Sequence, residues 1–447
     1  MAIAVGHFHD LKPPAVRNRH YSLHSVALLD SPLLDRDHRE HGDAAAAAGS
    51  GGHTGLSPRR RSQSSPCFTT VAPAAGSEHA DRSENKTMPR VEIVAGRHAR
   101  GVRELIAGAA AAITSGTRLV PAQNGLSGAL LLNGSRAGEH VAVIKPLDDA
   151  ATANGGGGGY ASKTVLREVA AFLLDHDGFA SVEPTALIKI SRPATATTTV
   201  ASIQRFVAHE YDAGELGPSR FSVASVHRVG ILDVRLLNID RHAGNILVKD
   251  PPRGLQRAHG SSSTPARLDL VPIDHGLCLP EQLDDPYFEW LHWPQSSLPF
   301  SDDELAYVAS LDPFKDAETL RAELPSLKEP AIRILTVCTI FLKRAAAAGL
   351  CLADIGDMMT REFTAQQDGL STLEALCKQA HDSVLPHPSP DGDGVDESAS
   401  VSGGRKHVSF GDLSLAEWTS FLERFEQLLP AALEDKKCAV LGTSSSF

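Results

Sequence analysis

Two short polar loops constrain this 447-residue chain more than any other feature: DRHAGN at residues 240–245 and PIDHG at residues 272–276. Each follows an apolar segment. VASVHRVGILDVRLLN, with apolar residues at helical spacing, leads into the first; LDLVPI, which reads as a strand, leads into the second. Phosphoryl transfer needs a carboxylate aimed at the attacking hydroxyl, and oxygen ligands for a Mg²⁺ that bridges phosphates. Asp240 offers the carboxylate, and Asn245, five residues on along a tight glycine-containing loop, offers one metal ligand. Asp274, just after a strand and two residues before Gly276, offers the other. Mg²⁺ takes few protein carboxylates beside phosphate oxygens, which suits so sparse a set.

A second group lies upstream. Lys145 ends the apolar run VAVI, and Glu168 sits on the predicted helix LREVAAFLLDHDGF. A lysine held by a glutamate grips phosphates as a fixed point charge. Before it, NGLSGA (residues 124–129) is a small-residue turn whose backbone amides can approach phosphate closely. Taken singly, these features are more often structural: strand-end lysines are usually solvated, helix glutamates usually lie on the surface, and Gly-Ser turns are common. The order glycine loop, Lys, Glu, Asp…Asn, Asp is what carries the signal.

Composition narrows the classes. The net charge of −11 argues against a nucleic-acid binder, which needs a basic face to neutralise phosphates. The six cysteines contain no CxxC pair and suggest neither a zinc site nor a disulfide framework, so reduced thiols in the cytoplasm are expected. The longest apolar run, residues 334–342, is followed by Lys343 and Arg344 and falls short of the ~20 residues that cross a bilayer. MAIAVGHFHD is too weakly charged and too briefly apolar for a secretory signal. Any lipid contact is therefore expected to be peripheral.

Residues 1–90, with an alanine run, Gly-Ser tracts, Arg59–Arg61 and the serines at 62, 64 and 65, read as a disordered tail open to phosphorylation. Order is expected from about Val102, with a helix to Gly116. Strands follow at 127–132 and 141–144, then a glycine loop at 155–159, the helix with Glu168, and strands ALIKI and ASIQRFV. That is a small mixed lobe. From Phe221 the chain turns helix-rich, with strands ILVKD and LDLVPID flanking a Gly/Ser/Pro insertion at 251–267. The expected boundaries are a catalytic domain at 116–385 divided near 210, a polar linker at 386–411 and a terminal helix at 412–435.

DRHAGN, IDHGLCLPE, DPYFEWLHWPQSSLPFSDDEL and REVAAFLLD resemble the phosphatidylinositol 3- and 4-kinase superfamily, most closely the plant gamma class of phosphatidylinositol 4-kinases. The likeness runs from about Leu119 to Phe363. Its Asp-Arg-His order differs from the His-Arg-Asp of ordinary protein kinases. The first 90 residues show none of the strand-rich pattern of the ubiquitin-like repeats that members of this class often carry.

The resemblance implies a two-lobed α+β protein-kinase-like fold that uses ATP and Mg²⁺ to phosphorylate the 4-hydroxyl of phosphatidylinositol. It places Ser127, Gly128 and Ala129 in the phosphate-covering loop, Lys145 on the nucleotide phosphates and Glu168 beside that lysine. Gln204, Arg205, Phe206 and Val207 match the segment that meets adenine through backbone groups. Asp240 positions the inositol hydroxyl, and His242 contacts the γ-phosphate or shares the handling of the proton. Asn245 and Asp274 hold Mg²⁺, while His275 and Gly276 stand where protein kinases have the Phe and Gly of DFG. The implied partners are ATP and phosphatidylinositol at a membrane that the protein visits from the cytoplasm, with a nuclear pool left open. The alternatives are a protein kinase acting on Ser/Thr substrates from the same scaffold, and a catalytically silent nucleotide-binding module.

Residues 274–299 hold no Lys or Arg. A site for inositides that already carry extra phosphates would present cations there, so their absence favours the unphosphorylated lipid. Tyr287, Phe288, Trp290 and Trp293 are expected either at the lipid interface or packed into the large lobe.

Overall fold

In a computed structural model, the chain is described over residues 90–444, apart from 118, 123–127, 135, 137, 148–157, 193–195, 250–266, 362, 365–366 and 385–407. The tail serines, the 251–266 insertion and most of the polar linker fall outside the described residues.

Six antiparallel strands form the first lobe: β1 (Arg90–Ala95), β2 (Leu119–Pro121), β3 (Leu130–Asn133), β4 (His140–Pro146), β5 (Thr185–Arg192) and β6 (Thr197–Arg205). Their order across the sheet is β1-β5-β6-β4-β3-β2. Side chains alternate across a strand, so burying Ala142 and Ile144 of β4 sends Val143 and Lys145 to the opposite face. Helix α1 (Val102–Thr114) packs Val102, Leu105, Ile106 and Ala109 into the core of this lobe. The described part of this lobe includes β1 from Arg90, upstream of the 116 boundary expected from sequence. RVEIVA alternates weakly and is held by its pairing with β5, a long-range partner that local patterning does not reveal.

Helix α2 (Gly158–Leu174) carries Glu168. The glycine tract expected as a loop contributes Gly158 and Gly159 to its first turn; residues 155–157 lie outside the description. The middle of α2 is buried on nearly every side, because it lies between the sheet and the second lobe and shares one continuous core with both. Its C-terminal end is fastened there. Arg235 Nη1 donates to the Leu174 carbonyl at 2.6 Å, Arg235 Nη2 to Asp316 Oδ2 at 2.5 Å, and His176 Nε2 lies 2.8 Å from Asp316 Oδ1.

The second lobe opens with β7 (Tyr211–Asp212), continues through α3 (Val223–Leu236), and adds β8 (Ile246–Lys249) and β9 (Asp269–Pro272) to make the small sheet β7-β8-β9. Helices α4 (Asp302–Ser310), α5 (Pro313–Glu323), α6 (Glu329–Ala347) and α7 (Leu352–Met359) follow. The apolar run at 334–342 is the middle of α6, where every residue is buried inside the lobe. No helix among the described residues is long and apolar enough to cross a membrane. A short hairpin, β10 (Phe363–Thr364) with β11 (Gln367–Asp368), precedes α8 (Thr372–Val384), a helix that the sequence reading did not single out.

The last helix, α9 (Leu415–Ser444), runs past the expected limit of 435 and contains Pro430. The end of the expected linker is also packed: Phe410 is fully buried against Trp418 and Phe421. Arg333 Nη1 captures the carbonyls of Phe410 and Leu413 at 2.6 and 2.9 Å. Its guanidinium also lies 5.0 Å from the centroid of the Trp418 ring. Phe421→Ala should therefore cost about 3–5 kcal/mol of stability by leaving a cavity, read as a lower urea midpoint; an unchanged midpoint would show that α9 is not part of the cooperative unit.

Candidate active site

Three members of the order read from sequence, Lys145, Glu168 and Asp274, meet in the structure. Lys145 Nζ donates to Glu168 Oε1 and, at 2.8 Å, to Asp274 Oδ1. Burial alone lowers the affinity of the Lys145 ammonium for its proton, but the two carboxylates more than offset it and hold its pKa above the usual lysine range. Burial likewise works against Glu168 ionising, and the charge of Lys145 overrides it, keeping that carboxyl well below the ordinary range. Glu168 also accepts from the backbone N–H of His275 at 3.1 Å. The His275 ring is fully buried, with Nδ1 3.7 Å from Glu168 Oε2, beyond hydrogen-bond distance. Among the described residues neither of its ring nitrogens has a hydrogen-bond partner.

Asp274 adopts φ +52°. A non-glycine residue in the left-handed region is strained and persists only where its surroundings over-determine it. Here the strain reverses the chain immediately after β9 and Ile273, next to the salt bridge with Lys145.

The catalytic-loop residues rest on a buried network that the sequence reading missed. Asp233, near the end of α3 and fully buried, accepts from Arg241 Nε at 3.0 Å to each oxygen, from Asn238 Nδ2 at 3.1 Å and from Trp290 Nε1 at 3.0 Å. Arg241 Nη1 then donates to the carbonyls of Asn245 and Ile273, both at 2.7 Å. One guanidinium thus fixes the backbone of Asn245 and of the residue before Asp274. The available signal was a lone acid in the apolar stretch GILDVRLL, since a buried charge requires a partner.

Asp240 is half-buried; burial and the nearby Asp274 outweigh His242 and Arg241 and push its pKa up. Its carbonyl accepts from Asn245 Nδ2 at 3.1 Å, which leaves the amide oxygen of Asn245 as the atom for a cation. His242 Nδ1 accepts from the Gly244 N–H at 3.1 Å, so the neutral ring carries its proton on Nε2.

Ser127 lies outside the described residues. Gly128 has φ +85° and room for a Cβ, so its glycine answers to backbone conformation rather than to crowding. Ala129 is buried, and its carbonyl accepts from Ala122 N at 3.0 Å as the β2–β3 hairpin closes. At the lobe junction, Gln204 Nε2 donates to Thr185 Oγ1 and Arg205 Nη2 to the Gly101 carbonyl, so both side chains serve the small lobe. The Phe206 ring meets His140 edge-on, and Val207 packs with Leu247, Val271 and Ile273 beneath the junction. Of the four aromatics offered as an interfacial cluster, Phe288, Trp290 and Trp293 are core residues; Tyr287 alone is exposed. Burial of these three, with the Trp290 indole donating to Asp233, corrects the interfacial alternative for them.

With this geometry in hand, comparison with known proteins is decisive. Residues 147–355 match the family model for phosphatidylinositol 3- and 4-kinase. Phosphatidylinositol 4-kinase gamma 1 of Arabidopsis thaliana is 48% identical over 367 residues, covering 76% of this chain and 64% of the relative. Over these residues the chain is similar to the phosphatidylinositol 3- and 4-kinase family. Phosphatidylinositol 4-kinase gamma 8 of the same plant is also 48% identical, over 360 residues, 74% of this chain and 64% of that protein. Phosphatidylinositol 4-kinase gamma 4 of Oryza sativa subsp. japonica is 35% identical over 309 residues, 64% of this chain and 52% of that protein. The chain thus spans somewhat less than two thirds of these relatives.

Asp233→Asn should leave the Arg241 guanidinium buried without a counter-charge. The expected loss is about 3–5 kcal/mol in chemical denaturation. A variant as stable as the parent would show that Asp233 does not hold the loop.

Proposed function

We propose that the chain is a phosphatidylinositol 4-kinase that passes the γ-phosphoryl group of ATP to the 4-hydroxyl of phosphatidylinositol. The observation that carries this reading is the contact of Lys145 with both Glu168 and Asp274, beside an Asp240 close enough to feel the Asp274 charge. A cation held between two carboxylates, with a third carboxylate nearby, supports a site that positions a triphosphate and its acceptor.

Asn245 and Asp274, an amide oxygen and a carboxylate, fit Mg²⁺, a hard cation that keeps few protein ligands. When bound, that ion neutralises charge on the transferred group. Lys145 holds the nucleotide phosphates, and Glu168 holds Lys145 in place. Asp240 takes the proton of the attacking hydroxyl, and burial with the nearby Asp274 raises the affinity of its carboxylate for that proton. His242 cannot share that task in its neutral form, because Nδ1 is occupied by the Gly244 N–H and Nε2 already bears hydrogen. It serves instead as a donor to a γ-phosphate oxygen.

Gly128, Ala129 and Ser127 cover the phosphates, and the backbone of residues 204–207 meets adenine. The protein works from the cytoplasmic side, touching the membrane at its surface. The names of its relatives favour a lipid acceptor over a protein one.

Vesicles containing phosphatidylinositol, with ATP and Mg²⁺, should yield the 4-phosphate. Asp240→Ala should lower its rate by about 10²–10⁴-fold while the fold melts as before. Lipid phosphorylation undiminished in that variant would refute the role of Asp240.

A further inference from the structure

Beyond Asp274 the chain returns to the catalytic loop and lies alongside it. The Arg241 N–H donates to the Tyr287 carbonyl at 3.0 Å, and the Glu289 N–H donates to the Arg241 carbonyl at 2.9 Å. This parallel bridge centres on Arg241 and Phe288. Alternation then sorts the side chains. Phe288 and Trp290 enter the core, stacked with ring centroids 4.6 Å apart. Tyr287 is 53% exposed and Glu289 is partly buried, and the Tyr287 hydroxyl donates to Glu289 Oε2 at 3.1 Å.

Because the bridge is made at Arg241, the neighbour of Asp240, this phenol–carboxylate pair stands beside the acceptor position. Burial and Glu289, with a contribution from Asp240, push the Tyr287 phenol above its usual range, so it remains a hydrogen-bond donor. None of the assigned steps uses either side chain.

Resting on the lipid-kinase reading, we propose that Tyr287 and Glu289 form the headgroup filter of this site, hydrogen-bonding the free hydroxyls of an inositol ring and repelling rings that already bear a phosphate monoester. With its single O–H given to Glu289, the phenol oxygen and the carboxylate both present acceptors to the vicinal hydroxyls of the ring. A monoester carries between one and two negative charges near neutrality. Placed here it would meet Glu289 and Asp240, in a segment (residues 274–299) without Lys or Arg. Selectivity then comes from a repulsive element as much as from an attractive one.

The test compares two substrates in phosphatidylcholine vesicles, phosphatidylinositol and phosphatidylinositol 3-phosphate, for the unaltered chain and three variants. Glu289→Gln should raise the ratio of kcat/KM on the 3-phosphate to that on phosphatidylinositol by roughly tenfold, and Glu289→Lys should raise it further. Tyr287→Phe should raise KM for phosphatidylinositol by roughly fivefold, moving kcat less. A melting temperature that still rises with MgATP certifies that each variant retains its nucleotide site. A substrate ratio that stays constant across both Glu289 variants, in a chain that turns over phosphatidylinositol, overturns the filter and leaves the kinase reading intact. No turnover of phosphatidylinositol by the unaltered chain removes the kinase reading, and this inference with it.

Discussion

The carboxylate of Asp233 is the point on which the site converges. It lies in the interior of the second lobe, and two segments reach it through three donors: the catalytic loop through Arg241 and Asn238, and the segment beyond Asp274 through Trp290. Arg241 extends that reach to the carbonyls of Asn245 and Ile273. A buried ion pair adds little net stability, because desolvation costs nearly as much as attraction returns. Its value here is geometric. Each donor satisfies the carboxylate only from one direction, so the loops that bear Asp240, Asn245 and Asp274 share a common reference.

The cleft adds a second, more exposed arrangement of charge. Lys145 arrives from the sheet, Glu168 from helix α2 and Asp274 from the strained turn after β9, so no two of the three come from the same element. An ammonium between two carboxylates remains protonated despite burial, ready for a polyanion. The burial of Glu168 matters as much as its charge: a carboxylate removed from water has no better partner than the lysine it faces.

Much of this was legible in the chain itself. Helical spacing marked α2 and α3, the apolar run VAVI marked β4, and the polar loops after α3 and β9 marked the chemistry. What escaped was whatever depends on a distant partner. Strand β1 is defined by β5 across nearly a hundred residues, and its own pattern is too weak to announce it. Asp233 and Arg241 act through contacts made in the interior, where a polar residue's role depends on what surrounds it. The aromatics of residues 287–293 illustrate the same limit: the composition of a membrane-facing cluster and that of a core turn are alike, and only register against the catalytic loop separates Tyr287 from Phe288 and Trp290. The terminal segment looked like a linker because Gly and Ser surround it, yet Phe410 fills the core.

The fastening of α2 by Arg235 has a consequence for how such proteins can be recombined. Because the carbonyl of Leu174 and the carboxylate of Asp316 share one guanidinium, the border between lobes is not the border between interchangeable parts. A chimaera spliced at the lobe junction, with a small lobe from one relative and a large lobe from another, keeps this fastening of α2 only if the incoming large lobe brings an arginine to the same height on α3. Sequence exchange in this architecture therefore has to preserve this inter-lobe contact as well as the connecting strand.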